Sequence, residues 1–447
     1  MDAMVDTFDV LIIGSGPAGL ASCFEALKAN KKVLVIDAGE TLRQQYASTQ
    51  FDERFQGRPT GGLGGAAKLW GAQSGFLDTK SLQVWSELSG FTHESLASLD
   101  EARKQMNEFL QIDVQPDNLY EVRKEVKLRN VALKYGLNLR HTTYPKNGNL
   151  EWHWGRLTIN SNVRVDLNRR LIRINAHDPT KIELEFESGD SLKIGSSKLI
   201  LAAGTVSTTE IILRSFPEQS QRHGIGLKLQ DHPCGVVASY TGNGNKQFAK
   251  GQILKSKYGI LKRKFEYRSS SASGVVELQY DLNANSPSLK DKIYSILNKL
   301  SQHFFKRLAL MPPKLNVWVQ IEQSPENSLV INPTTGQLVS SWSCDRNDLD
   351  AFKEIYEATH NMLVSEGFTL VEKPDFSGFY PTQAFHPSGT IPMHRDPDLG
   401  FVNETGIIHE YPQIQIASAA IFPTPSWVNP TFLIMVLSSL GTRHLLS

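Results

Sequence analysis

The stretch VLIIGSGPAGLASCFEALKANKKVLVID, residues 10–37, constrains this chain more than any other. Val10 to Ile13 is an unbroken apolar run, the pattern of a parallel strand covered on both faces. Gly14, Gly16 and Gly19 follow in G-x-G-x-x-G spacing, with Ser15, Pro17 and Ala18 between them. A second apolar run ends on Asp37, 23 residues after Gly14. Strand, tight turn, helix and strand in that order make a βαβ unit. Gly14 then permits the turn, Gly16 lets the main chain approach a pyrophosphate, and Gly19 lets the helix pack close to the strand. The helix N-terminus faces the phosphate charge, and Asp37 stands where a carboxylate can accept from a ribose. The unit predicts dinucleotide binding and does not by itself separate NAD from FAD.

With 447 residues, the chain suits two domains, or one carrying a large insertion. A hydrophobic content of 40% and a charged content of 21% are those of an ordinary globular protein. The formal charge of +1 provides no global field for nucleic acid, so no nucleic-acid partner is expected. Cys23, Cys234 and Cys344 are far apart and form no CxxC pair, so neither a disulfide framework nor a metal site is expected. MDAMVDT is too short and acidic for a signal peptide, and no apolar run approaches the roughly 20 residues of a membrane span. The expected compartment is the cytoplasm.

A second glycine-rich stretch, GGLGGAAKLWGAQSG from Gly61, bears on the ligand. Dense glycine followed by small residues lets backbone approach a flat group, and Trp70 can pack against a ring system. A plain flexible loop would leave Leu69 and Trp70 in solvent. Further on, SSKLILAAGTVSTTEIILRS reads as another buried strand, Leu199 to Ala203, running through Gly204 into a helix. A second complete GxGxxG is absent, which disfavours a reductase carrying both FAD and NAD(P)H.

Two motifs lie near the end. FHPSGTIPMHRD places His386 in a turn of Pro387, Ser388 and Gly389. In IQIASAAIFPTPSWVNPTFLIMVLSSL, Ile414 to Ile416 reads as a strand, and a helix is expected from Pro430, with Asn429 as its N-cap. That helix is apolar nearly all round and should be buried. Its N-terminus carries roughly half a positive charge, which suits the negative charge of a reduced flavin.

Together these segments resemble the glucose-methanol-choline oxidoreductase family in its short bacterial form. The N-terminal unit, GGLGG…LWG, LILAAGTVSTTEIILRS, LQDHP at Leu229, EQSPENSLVINPTTG at Glu322, HPSGTIPM and IFPTPSWVNPT stand in family order. The resemblance is thinnest at about 90–150 and 240–315. It implies FAD as cofactor and maps the family's catalytic pair onto His386, as general base, and Asn429. The FAD shell it implies comprises Gly14, Ser15, Gly16, Pro17, Ala18, Gly19, Asp37, Ala38, Gly65, Leu69, Trp70, Gly71, Ala72, Val165, Ala203, Gly204, Ser418, Ala419, Asn429, Pro430 and Thr431. There are departures: His394 replaces the usual Gly after the motif's Met, and the Asp often found before the FP segment is absent around Ser418. Leu69 occupies the position where some members attach FAD through His, so noncovalent FAD is expected.

The expected fold is α/β (α+β overall): a Rossmann-like FAD-binding domain with a second, sheet-containing substrate domain. The FAD-binding domain would be discontinuous, 1–90, 150–235 and 380–447, with 91–149 a connecting or lid segment and 236–379 the substrate domain. Residues 289–311 read as an amphipathic basic helix, and with KSKYGILKRKF they form a basic region. A helix covering the domain is the ordinary reading, and contact with a membrane surface or a carrier is the other. The function implied is oxidation of a CH–OH group of an alcohol, of sugar or polyol type, with oxygen or a carrier taking the electrons. A flavoprotein of redox-neutral oxidation–elimination or dehydration chemistry, or a non-catalytic FAD-stabilised protein, are the alternatives.

Overall fold

A computed structural model describes residues 8–39, 61–69, 72–112, 129–140, 145–178, 181–241, 254–255, 261–280, 315–372, 375–376, 381–383 and 385–447. Trp70, Gly71 and the segment 289–311 lie outside the described residues, as does the side chain of Leu69.

The opening unit folds as its pattern dictates. Val10–Ile13 and Val33–Asp37 pair in parallel, joined by the helix Pro17–Lys28. Pro17 sits in the first turn of that helix, where its missing N–H costs nothing. On one side of the pair Lys198–Leu201 adds in parallel, followed by Tyr411–Ile416 and the short antiparallel Ile407–Ile408; on the other, Val163–Leu167 adds in parallel to Val33–Asp37. The resulting six-stranded sheet draws its strands from four distant parts of the chain. Both inner strands are wholly buried, and the sheet is the centre of the largest apolar core. The closing helix Pro430–Leu446 packs along Pro17–Lys28, burying Phe432, Leu433, Met435 and Val436 in that core.

The second sheet is mainly antiparallel, in the order Leu254–Lys255, Leu261–Arg268, Ser273–Tyr280, Leu315–Ile321, Pro233–Thr241 and Thr369–Glu372. Leu137–Arg140 pairs with Leu261–Arg268, and Thr382–Gln383 with the start of Pro233–Thr241. One face carries Phe265, Val276, Val317 and Val319, buried against Phe352 and Ile355 of the helix Arg346–Ser365. Because side chains alternate across a strand, the residues between them belong to the other face: Lys264, Glu277 opposite it, and Trp318 opposite Glu277. That face bears on the site described next.

Among the described residues, no helix is long and apolar enough to cross a membrane.

Candidate active site

The glycine turn separates positions closed by protein from positions open to a ligand. A Cβ on Gly14, whose φ is +105°, would lie 2.4 Å from the Ala202 carbonyl oxygen; one on Gly19 would lie 2.0 Å from the oxygen of Gly14. Gly16 is different. Its backbone is extended, and a Cβ there would meet nothing within 4 Å. Gly204, at φ +76° in the first turn of the helix Gly204–Ser215, is equally open. Two tightly packed glycines thus flank one that keeps space clear at a helix N-terminus, which is what a pyrophosphate requires. The residues present fit FAD on that test. Val165 pairs with Val35 in the neighbouring strand, and Ser418 accepts from Ala420 N to cap the turn Ala419–Ile421.

Asp37 ends its strand as expected. One carboxylate oxygen accepts from Ser15 N at 2.8 Å and lies 2.6 Å from Ser15 Oγ. The other accepts from Gly39 N at 2.8 Å and Gly62 N at 2.9 Å. A carboxylate has about four acceptor positions, and loops of this chain take all four. Asp37 ties the first glycine turn to the second glycine-rich loop. Trp154 reinforces the junction by donating its indole N–H to Ser15 O at 2.8 Å.

His386 stands in a loop held almost entirely through main chain. Ser388 and Gln230 exchange backbone hydrogen bonds at 2.9 and 3.0 Å, and Gly389 N donates to Ala419 O at 3.1 Å. Gly389 is at φ +80°, and a Cβ there would lie 2.4 Å from the Gln230 amide nitrogen, so only glycine fits. The carboxylate of Asp231, itself fully buried, accepts from His386 N at 3.0 Å and from His232 N at 2.6 Å. Asp231 N in turn donates to Gln323 Oε1 at 2.9 Å. HPSGT, LQDHP and EQSPENS, read in the sequence only as segments, here meet in one knot.

The imidazoles are linked: His386 Nδ1 and His232 Nδ1 lie 3.0 Å apart with the rings near perpendicular, and His232 Nε2 lies 2.6 Å from the Ser426 carbonyl oxygen. Glu322 accepts from Ser426 N at 3.1 Å, holding that carbonyl in place. Burial holds the pKa of His386 well below the ordinary histidine value, with the charges of His232 and Lys264 acting the same way. Burial likewise pushes His232 down to about 4. Both rings are therefore neutral at pH 7.

Asn429 precedes the closing helix as expected, yet its side chain makes no capping hydrogen bond. The amide instead donates to Gln73 Oε1 at 3.4 Å, and the same oxygen accepts from Lys264 Nζ at 2.6 Å. Lys264, read in the sequence as part of a basic surface region, is mostly buried and paired with Glu277 at 3.3 Å. Lys264 thus lies close to both Asn429 and His386, the two residues of the expected catalytic pair. Sequence reading assigned no role to Gln73, Asp231, His232, Lys264 or Glu277. Asp231 and His232 lie in the LQDHP motif, Gln73 in the second glycine-rich stretch and Lys264 in the basic region.

Residues 9–50 match an FAD-binding domain model, and residues 329–438 match the model of GMC oxidoreductases. No curated protein matches by sequence. The crystal structure of pyridoxine 4-oxidase from Mesorbium loti has a similar fold, with TM-score 0.64 and 15% identity over 98% of each chain. The fold is thus shared end to end, and the GMC signature covers the segments that carry His386 and Asn429. The chain thus carries an FAD-binding unit at its start and the GMC oxidoreductase signature near its end, and these matches support an FAD-dependent oxidoreductase acting on CH–OH groups.

Proposed function

We propose that the protein oxidises the hydroxyl of a small polar alcohol, of sugar or polyol type, to a carbonyl, with His386 as general base. The observation that carries this reading is His386 itself: a half-buried imidazole, neutral at pH 7, with Nδ1 engaged by His232. Bound FAD supplies the hydride acceptor. His386 takes the hydroxyl proton as the carbon gives up its hydride, so one alcohol yields one carbonyl, one proton on the imidazole and one transferred hydride. Asn429 orients the same hydroxyl through its amide, which the helix does not use. Gln73, Lys264 and Glu277 give the site a polar wall, and that supports a substrate with further hydroxyls over an apolar alcohol.

In this reading FAD is held noncovalently by the discontinuous body 1–90, 150–235 and 380–447. The sheet contributed by 236–379, to which Leu137–Arg140 adds a strand, covers the reacting face. The first turn of the closing helix, Pro430 and Thr431, supplies partial positive charge. The electrons pass on to oxygen or a carrier.

Anaerobic bleaching of the flavin by a panel of polyols, glycosides and simple aliphatic alcohols tests the substrate class. Polar alcohols should reduce the flavin and aliphatic ones of equal size should not. With the best substrate, His386→Ala should slow reduction about 10²–10⁴-fold while retaining FAD. A rate within threefold of wild type would remove His386 from the chemistry.

A further inference from the structure

The two linked histidines carry an inference that rests on the reading of His386 as base and goes beyond it. The starting point is the Ser426 carbonyl. A carbonyl oxygen only accepts, so at 2.6 Å the proton between it and His232 belongs to His232 Nε2. A neutral imidazole carries one N–H, so the Nδ1 of His232 is bare. The contact at 3.0 Å between the two Nδ1 atoms then has a single consistent polarity, with His386 donating and His232 accepting. It follows that Nε2 of His386 carries the free lone pair, and among the described residues no group hydrogen-bonds that atom. A protonated His232 would reverse the polarity, pointing an N–H at His386 and forcing its proton onto Nε2, but full burial beside Lys264 opposes that charge.

We propose that His232 is a positioning residue that fixes His386 in its Nδ1–H tautomer, leaving Nε2 as the base that receives the substrate's hydroxyl proton. The donor–acceptor direction is set at the far end, by the carbonyl of Ser426, and passed through one ring to the next. When Nε2 accepts the proton, His386 carries two N–H groups. The one on Nδ1 already points at the bare nitrogen of His232, so the new charge forms beside a waiting acceptor and neither ring turns. The Ser426 carbonyl is itself anchored by Glu322, and both histidine main-chain N–H groups by Asp231.

The test has a readout that does not depend on turnover. In the FAD-loaded protein labelled with ¹⁵N-histidine, the His386 signal, assigned by its loss in His386→Ala, should show a protonated Nδ1 and an unprotonated Nε2 at pH 7.5. His232 should show the opposite pattern. An Nε2–H tautomer of His386 would overturn the proposal whatever the kinetics. Two variants examine the consequence. His232→Leu removes the acceptor and should slow flavin reduction roughly ten- to hundredfold, the scale on which loss of one hydrogen bond to a charged group acts, with KM within about twofold. His232→Asn places an amide oxygen near the lost nitrogen and should recover most of the rate. Equal losses in both variants, or a His232→Leu rate within threefold of wild type, would overturn the role of His232. A slow His386→Ala would still leave the base assignment standing, so the two readings fail separately. If His232→Leu does not fold, the tautomer measured in the wild-type protein decides.

Discussion

Two buried aspartates organise this molecule in the same way and at very different range. Asp37 gathers the main-chain N–H groups of Ser15, Gly39 and Gly62, all within 25 residues of it. Asp231 gathers those of His232 and His386, the latter 155 residues away. Each carboxylate accepts from backbone donors of loops. The difference lies in what the loops do. Asp37 shapes the glycine turn at a helix N-terminus; Asp231 fixes the loop that carries His386. In the proposed reading the same chemistry serves binding in one place and proton transfer in the other, and the two should come apart under mutation.

Removal of each carboxylate should have the largest effect. Asp37→Ala and Asp231→Ala should each lower stability by about 2–5 kcal/mol, because buried donors lose a charged acceptor. Urea unfolding measures that shared cost. The functional outcomes should diverge: Asp37→Ala loses FAD, read by absorbance after gel filtration, while Asp231→Ala retains FAD and reduces it slowly. Equal FAD loss in both would mean that the two sites are not separable.

A smaller effect separates packing from binding within the glycine turn. Gly19→Ala should destabilise the protein by about 1–3 kcal/mol with or without flavin, since its Cβ meets backbone. Gly16→Val should leave the melting temperature of the apoprotein nearly unchanged and yet yield little flavin-loaded protein, because only the ligand fills that space. Thermal scans of both variants with and without added FAD decide the matter.

Acid should act on the histidine cluster. His232 and His386 have folded pKa values below their unfolded ones, so the unfolded chain binds more protons in that window. Their contribution is fully present above about pH 6.5 and is lost as pH falls toward about 4. Stability should therefore decline on acidification through that range, and His232→Asn should flatten the decline. An unchanged slope in the variant would remove His232 as its cause.

The smallest effect is expected at Asn429. Its amide does not cap the closing helix, so Asn429→Ala should shift stability by less than about 0.5 kcal/mol, below the ordinary cost of a lost cap. Flavin reduction should nonetheless slow. A stability loss of about 1 kcal/mol or more would show that the side chain caps in solution.

What could be read from sequence follows the same division of range. The glycine turn, its two strands and its helix are local, and local patterning placed Val10–Ile13 residue for residue. His386 and Asn429 were reachable through motif resemblance. Their partners were not, because the hydrogen bonds joining His232 to His386 and to Ser426 span 154 and 194 residues between loops without periodicity. Asn429 shows a second limit: Asn before Pro is a sound capping signal, but it cannot reveal a competing acceptor such as Gln73. Lys264 shows a third. Alternation with Phe265 announces a strand with two faces and does not say that both are covered.

The histidine loop has a consequence for how this scaffold can change. His386 hangs from the main chain and from Asp231, while the wall facing it is built of side chains from a sheet whose opposite face carries the second core. Residues of that wall can therefore be exchanged without pulling on the loop, with the exception of Lys264, whose charge bears on both imidazoles. On the proposed function, variation in what the enzyme accepts can accumulate on one surface while the histidine loop stays put. A scaffold wired this way favours diversification of substrate over diversification of chemistry, and directed evolution aimed at new alcohols would do best to randomise the strand face and leave the loops untouched.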